Sequence, residues 1–304
     1  MLQTGRHICE FVGVRAMCGT PGRLCVRSLQ SGVVRLNRLV RFAINDTPSA
    51  PGRNGYSAAP CASAWTSRHY EALVMCVGQV HPAYSYLIDI KAVDKAVRSV
   101  LVPSIEAACC GAGIGTNQSQ PIHPAHLLRQ CLPGLNQHLG GLLHSVRWFL
   151  NPTSSVEASM ASSHALLRQK FEFAASHRLH VPTLSQEENL RLFGKCTWKN
   201  GHGHNYHVEP CIAITLDDSG KHALSLQRLE EIVDETLIQP FDHKNLNLDT
   251  PQFAEGTGLN PSVENIARVF FGILAPRVSR EIPGAELREI TVWESDRTSS
   301  TYPG

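Results

Sequence analysis

The sequence contains an internal repeat, and this repeat constrains the fold more than any other feature of the chain. The segment His69–Pro103 resembles the segment Asn205–Pro240, and Tyr70 in the first copy matches Tyr206 in the second. Downstream of each tyrosine, apolar residues recur with helical spacing, which predicts one apolar stripe on a helix in each copy. The matched positions are Ile90, Val93, Ala96, Val97 and Leu101 in the first copy, and Leu226, Leu229, Ile232, Val233 and Leu237 in the second.

The repeat continues beyond these helices. "HSVRWFLNPTSS" (His144–Ser155) resembles "EITVWESDRTSS" (Glu289–Ser300), which aligns Trp148 with Trp293. A second helical segment precedes each of these stretches, at about 125–143 in the first copy and 262–278 in the second. Chance similarity between two α+β stretches is the alternative, but several anchors in the same order favour a duplication.

Each copy reads as strand, loop, strand, helix, helix and strand. This order predicts an α+β fold in which an antiparallel sheet carries two helices on one face. We assign the two units to residues 36–160 and 165–304, and 304 residues are enough for two domains. The junction "ASSHALLRQKFEFAASH" is poor in glycine and proline, so we expect the halves to pack together rather than to be flexibly tethered.

The composition argues against some classes of function. The formal net charge is +2 and 18% of the residues are charged, so we expect no partner that is a nucleic acid or a membrane. No stretch reaches the roughly 18 uninterrupted apolar residues of a membrane span. The ten cysteines are irregularly spaced, and Cys109 and Cys110 are adjacent. We therefore expect free, mostly buried thiols in a reducing compartment, the cytoplasm.

Residues 1–35 form a basic leader whose role the sequence leaves open. They contain five arginines and a single acidic residue, Glu10. An organellar transit peptide has this composition, and so does a ragged leader or a start codon placed too far upstream. The fold prediction therefore does not use this stretch.

A candidate metal site lies in "KCTWKNGHGHNYHVEP" (Lys195–Pro210). His202 and His204 alternate there, so an extended backbone places both side chains on one face. A catalytic zinc site uses three protein ligands and keeps one position open. His177 ends a stretch of alternating apolar residues, and an adjacent antiparallel strand would bring it opposite the other two. Cys196 is a further candidate ligand, whereas most of the 15 histidines are expected to be ordinary surface or core residues.

The segments "FAASHRLH", "LSQEENLRLFGKC", "NGHGHNY", "PFDHKNLN" and "WESD", in this order, resemble the family of 6-pyruvoyl-tetrahydropterin and 6-carboxytetrahydropterin synthases. The resemblance covers about residues 171–304 and extends to tandem forms with a divergent first copy. The spacing from Cys196 to His202 is similar to that of the pyruvoyl-forming enzymes. The resemblance implies the tunnelling fold (T-fold), in which sheets from several subunits form a barrel with the helices outside, and therefore a homo-oligomer.

The resemblance also implies a reaction and a set of site residues. The reaction converts 7,8-dihydroneopterin triphosphate, a pterin, into 6-pyruvoyl-tetrahydropterin and triphosphate, and it depends on Zn2+. The alternatives are the 6-carboxytetrahydropterin synthase of queuosine biosynthesis, a side-chain-cleaving variant, and a pterin-binding or zinc-storing protein without turnover. The implied zinc ligands are His177, His202 and His204, the catalytic residues are Cys196, Asp242 and His243, and the pterin-binding residues are Glu294 and Glu264.

Each implied role has a chemical basis. Cys196 as a general base needs a lowered pKa, which we expect the metal and nearby histidines to supply. Asp242 orients His243, which then moves protons. Glu294 accepts hydrogen bonds from the amino group and a ring N–H of the pterin. The chain departs from the family pattern at Ser262-Val263, where two hydroxyl residues are common, so its substrate preference could differ.

The first copy lacks these groups. Thr66 and Arg68 replace the two histidines of the HGH segment, and "RFAINDTP" offers no histidine for the first strand. Phe149 replaces Glu294, and the stretch 104–107 replaces the Asp-His pair. We therefore expect residues 36–160 to be a degenerate copy that binds no zinc, and residues 165–304 to be the catalytic domain. We further expect catalytic domains of different chains to meet in the oligomer.

Overall fold

A computed structural model describes residues 32–44, 68–110, 122–216 and 226–304. The predicted basic leader lies largely outside the described residues, as does Thr66. The first strand begins at Val33, so the last residues of the 1–35 stretch belong to the sheet. None of the described helices is long and apolar enough to span a bilayer.

The first half runs strand, strand, helix, helix, strand, strand. Its first helix is interrupted by a single π-helical turn. The elements are β1 (Val33–Ile44), β2 (Arg68–Gln79), α1 (Ile90–Ala96), the π-helical turn (Val97–Leu101), α2 (Val102–Cys110), α3 (Pro124–His138), β3 (Leu143–Phe149) and β4 (Ser154–Ser159).

The second half has the same order of main elements, with additional short elements around the histidine segment. The elements are β5 (His164–Gln169), β6 (Phe171–His177), α4 (Gln186–Phe193), a 3-10 turn (Gly194–Thr197), β7 (His202–Thr215), α5 (Leu226–Val233), a π-helical turn (Asp234–Ile238), α6 (Gln239–Phe241), β8 (Lys244–Asn245), α7 (Leu246–Asp249), α8 (Val263–Glu281), β9 (Ala285–Ser295) and β10 (Thr298–Pro303). The sequence pattern did not separate the final strand of either half, and it did not predict α4 or α7.

The ten strands of the described residues belong to one sheet. In the first half the order is β1-β2-β3-β4, and every pair is antiparallel. In the second half, β5 and β6 pair with consecutive parts of β7, and both pairs have the same antiparallel register. The other edge of β7 pairs with β9, and β9 pairs with β10. With β5 and β6 counted as one interrupted strand, each half contributes a row of four strands in the same order, and the two-residue β8 pairs with β6 outside this row.

The two rows are joined edge to edge. β4 pairs with β5 in antiparallel register, from Ser154 opposite Gln169 to Ala158 opposite Ala165. A β-ladder holds the two halves in a fixed relation, because its backbone hydrogen bonds are satisfied across the junction. The halves are thus packed together, as the composition of the junction predicts.

The helices of the two halves share unusual features. In each half the first helix contains a π-helical turn, and the second helix contains an internal proline, Pro133 in α3 and Pro276 in α8. An internal proline removes one helical hydrogen bond and is uncommon inside helices. The same features therefore occur at corresponding places in both halves.

The apolar core lies between the sheet and the helices. Its residues alternate along the strands, so that one face of the sheet packs against the helices. The opposite face is charged near the junction, where Arg168 lies 2.9 Å from Glu157 and 3.7 Å from Glu289. The matched helix positions behave alike in the two halves: Ile90 and Leu226 are exposed, and the four matched positions after each of them are buried. The result is an α+β architecture with helices on one face of a sheet that is antiparallel except for the short parallel pair β6–β8.

Candidate metal centre

The three predicted histidines lie at the end of the β6–β7 ladder. His177 is the last residue of β6 and is the register partner of His202, the first residue of β7. Ala175 is the partner of His204. Because side chains alternate along a strand, His177, His202 and His204 all emerge on the face that packs against the helices.

The side chains of these histidines converge with a carboxylate from β9. The Nε2 atoms of His177 and His202 are 3.2 Å apart. Glu294 Oε1 lies 3.3 Å from His177 Nε2 and 3.4 Å from His204 Nε2. One ligand atom from each of the four residues lies within 4.8 Å of all the others. We call this set of three histidines and Glu294 the histidine–glutamate cluster.

The tautomer of His177 is fixed by the backbone. His177 is fully buried, and its Nδ1 lies 2.7 Å from the carbonyl oxygen of Pro261, which can only accept a hydrogen bond. Nδ1 therefore carries a proton, and Nε2 is the ring nitrogen that faces the cluster. A histidine that binds a metal typically donates such a hydrogen bond from its other ring nitrogen.

Two buried polar atoms in or beside the histidine–glutamate cluster have no hydrogen-bond partner. His204 Nε2 is buried and makes no hydrogen bond, because its approach to Glu294 lacks hydrogen-bond geometry. The hydroxyl group of Tyr206, whose ring lies 5.4 Å from that of His204, is also buried without a partner. Burial lowers the pKa of both His202 and His204, which keeps their rings neutral and able to donate a lone pair. Such a donor set fits a zinc ion.

The chain needs glycine just before His202. Gly201 has a φ of +64°, and a Cβ atom at this position would lie 2.6 Å from the carbonyl oxygen of His177. Only glycine tolerates both the left-handed backbone and this close approach. The glycine therefore allows β7 to begin directly beside the end of β6.

Cys196 lies on the 3-10 turn between α4 and β7, near enough to Glu294 for the two groups to interact electrostatically. Its carbonyl oxygen accepts a hydrogen bond of 2.9 Å from the backbone N–H of Leu179. Burial raises the pKa of the Cys196 thiol, and the nearby carboxylate of Glu294 raises it further. The surroundings of Cys196 by themselves therefore favour the protonated thiol, and the lowered pKa that we expect from the metal together with the histidines stays a prediction.

Two residues that the sequence did not single out hold the chain on either side of α4. Arg178 directly follows His177, and its Nε donates a 2.9 Å hydrogen bond to the carbonyl oxygen of Thr197. Asn189, a buried residue of α4, bonds both the N–H and the C=O of Val181. The sequence signal for α4 is the capping box of Ser185 and Glu188 in "LSQEENLRLF", which marks a helix start.

Asp242 and His243 form a pair at the edge of β6. Asp242 Oδ2 lies 2.7 Å from His243 Nδ1, and Asp242 Oδ1 accepts a 2.8 Å hydrogen bond from the backbone N–H of Ala174. The bond from Ala174 is the main cause of the lowered pKa of Asp242, with His243 contributing next. The His243 side chain is 82% exposed. Among the described residues, the pair forms no hydrogen bond or ion pair with Cys196 or with the histidine–glutamate cluster, although His243 and His204 line the same surface pocket.

Glu264 is also not brought into the cluster. It lies in the first turn of α8, next to the N-cap residue Ser262, and its side chain is exposed. The same segment nevertheless approaches the site, because the carbonyl oxygen of Pro261 is the partner of His177.

The corresponding strands of the first half keep an aromatic pair but carry no cluster of this kind. Phe42 is the register partner of Tyr70 as Phe173 is that of Tyr206, with ring centroids 5.9 Å and 4.9 Å apart respectively. Within the described parts of the chain, the histidine–glutamate cluster is the only group of three or more potential metal ligands.

The fold and this cluster together define a candidate metalloenzyme of α+β architecture. The sequence profile of the 6-pyruvoyl tetrahydropterin synthase family matches residues 166–304, which begin in β5 and include the whole cluster. The chain is 36% identical over 150 residues to the 6-pyruvoyl tetrahydrobiopterin synthase of Homo sapiens, in an alignment covering 49% of this chain and 99% of that protein. It is 36% identical over 141 residues to the Drosophila melanogaster protein of the same name, covering 46% and 80%.

A structure of the Caenorhabditis elegans 6-pyruvoyl tetrahydropterin synthase aligns with 46% of this chain and 94% of that chain, with 30% identity and a TM-score of 0.41. The alignment with the human relative covers nearly that whole protein at an identity well above chance. The chain therefore belongs to the 6-pyruvoyl tetrahydropterin synthase family, a family of lyases.

Proposed function

We propose that residues 165–304 form a zinc-dependent 6-pyruvoyl-tetrahydropterin synthase that converts 7,8-dihydroneopterin triphosphate into 6-pyruvoyl-tetrahydropterin and triphosphate. The observation that carries this proposal is the convergence of three imidazoles at positions that match the family motifs. His177, His202 and His204 would hold the metal. Zinc would supply Lewis acidity toward the hydroxyl groups of the substrate side chain.

Other residues of the chain would transfer the protons and bind the pterin ring. The Cys196 sulfur would take a proton from a side-chain carbon next to a hydroxyl-bearing carbon. His243, held through Nδ1 by Asp242, would present Nε2 for proton transfer. Glu294 would accept hydrogen bonds from the pterin amino group and ring N–H, which rejects rings that lack these donors.

Zinc binding also bears on Cys196. The side chains around the thiol favour its protonated form, because burial and Glu294 both raise its pKa. A cation held by the histidines favours the thiolate instead. Metal binding and base strength would therefore be coupled in this site.

We further propose that the chain is a tandem T-fold protein, with residues 36–160 as a degenerate first domain. Support comes from the two rows of four strands, the repeated π-helical turns and the repeated internal prolines. We expect a homo-oligomer in which catalytic domains of different chains meet. The exposed position of His243, without a contact to Cys196 in the single chain, supports a role for a second chain.

The reaction is tested by incubating the purified, zinc-loaded full chain with 7,8-dihydroneopterin triphosphate. We expect 6-pyruvoyl-tetrahydropterin and triphosphate in equal amounts, identified by mass spectrometry, and no product with metal-free protein. Formation of 6-carboxytetrahydropterin would favour the carboxy-forming alternative. Pterin binding without any product would favour a binding protein and would contradict the proposal.

Zinc content tests the assignment of the first domain. We expect one zinc ion per chain after dialysis against metal-free buffer, because the described part of the first half holds no second group of ligands. Elemental analysis combined with the protein concentration gives this ratio. A ratio of two ions per chain would show that the first half binds metal as well.

A further inference from the structure

We propose that Glu294 is a fourth metal donor in the pterin-free enzyme, and that binding of a pterin ring displaces it from the metal. The inference rests on the proposed function for the presence of zinc and of the pterin. It gives one carboxylate two alternative positions, on the metal before the substrate binds and on the pterin afterwards.

The spacing of the donor atoms supports a four-donor site. With zinc bonds of about 2.0 to 2.2 Å, neighbouring donors of a tetrahedral ion lie about 3.3 to 3.6 Å apart. The pair His177–His202 is separated by 3.2 Å, and Glu294 Oε1 lies 3.3 Å from His177 and 3.4 Å from His204. The carboxylate oxygen is thus as well placed for a shared ion as the imidazole nitrogens are.

The hydrogen-bond geometry supports the same conclusion. The contact between Nδ1 and the carbonyl oxygen of Pro261 leaves Nε2 as the His177 ring nitrogen that faces the cluster. His204 Nε2 is buried and has no hydrogen-bond partner, although Glu294 Oε1 lies 3.4 Å away. A cation held between Glu294 Oε1 and these ring nitrogens would give each of them a partner.

A fourth protein donor has a consequence for catalysis. Three protein ligands leave a position open, whereas four close it. If the bound pterin ring draws Glu294 away from the metal, one coordination position becomes free. The substrate side chain can then reach the metal only when the ring is bound. Part of the energy of pterin binding is then used to open the site, which restricts reaction to molecules that carry both the ring and the side chain.

Zinc affinity tests the role of Glu294 as a donor. In competition with a chelator, Glu294→Gln is expected to bind zinc at least about 100-fold more weakly than the wild type, because loss of even an outer partner costs 10- to 100-fold. The matched control is Glu286→Gln on the same strand, whose exposed carboxylate pairs with Arg288 and should leave zinc affinity unchanged. Equal thermal unfolding of the metal-free variants shows that the fold is intact. An affinity of Glu294→Gln within twofold of the wild type would overturn the proposal.

Displacement is tested with Co2+ in place of zinc and with pterin that lacks a side chain as the probe. This probe cannot offer side-chain hydroxyl groups to the metal, so a change in the visible cobalt spectrum reports the departure of Glu294. We expect the change in the wild type and not in Glu294→Gln. Pterin binding, measured by fluorescence, without a spectral change would overturn displacement. No pterin binding at all would overturn both displacement and the proposed function, whereas weaker zinc binding by Glu294→Gln would still support Glu294 as a donor.

Discussion

Replacing Cys196 by alanine is expected to lower kcat by about 10²- to 10⁴-fold, the usual contribution of a general base. The zinc content of this variant should remain that of the wild type, because the four converging donor atoms come from the histidines and Glu294. The backbone of the turn should also persist, since its contacts with Leu179 and Arg178 use carbonyl oxygens rather than the thiol. Turnover of the pterin triphosphate and elemental analysis of the same sample measure both effects.

The matched control is Cys109→Ala in α2. Cys109 is half-buried like Cys196, but it lies in the first half of the chain. This variant should keep its zinc and its turnover. If Cys196→Ala lost zinc in parallel with activity, Cys196 would be a ligand rather than a base. If it retained full turnover, another group would remove the proton.

The faces of the strands could be predicted from the sequence because they depend on local alternation. The period of two in "HGHNYHV" places His202, His204 and Tyr206 on one face wherever the strand lies. The repeat was equally informative, since matched apolar positions on the helices show the same burial in both halves. His177 could be proposed because its own strand has the same alternation.

The remaining features of the site depend on contacts between distant parts of the chain. The tautomer of His177 is set by the carbonyl oxygen of Pro261, 84 residues away. The raised pKa of Cys196 depends on how deeply the turn is buried and on the approach of Glu294. Local sequence carries neither quantity, because both arise when α8 and β9 pack against β6 and β7.

The position of Glu294 shows the same limit. A glutamate near the end of a strand is usually solvated, and the "WESD" motif by itself does not indicate its neighbours. The β7–β9 register places Val292 opposite Val208, and the carboxylate then lies near His204, which precedes Val208 on β7. The distances from Glu294 to two imidazoles, rather than the identity of the residue, are what suggest a metal donor.

Replacing His204 by alanine is expected to lower zinc affinity by at least about 100-fold and to abolish measurable turnover. Its Nε2 is buried without a hydrogen bond, so no hydrogen-bond partner satisfies this nitrogen without a metal. His177→Ala is a poorer test, because His177 is fully buried and its removal also leaves a cavity. Zinc binding by competition with a chelator and turnover at saturating zinc measure the two effects.

The matched control for His204→Ala is His207→Ala on the same strand. His207 points to the opposite face of β7, where its Nε2 lies 3.1 Å from Glu172 and its side chain is 42% exposed. Loss of this exposed pair should cost at most about 1 kcal/mol of stability. Zinc affinity and turnover of His207→Ala should therefore equal those of the wild type. Equal loss of zinc in the two variants, or full zinc binding by His204→Ala, would show that the metal is not held on the helix-facing side of β7.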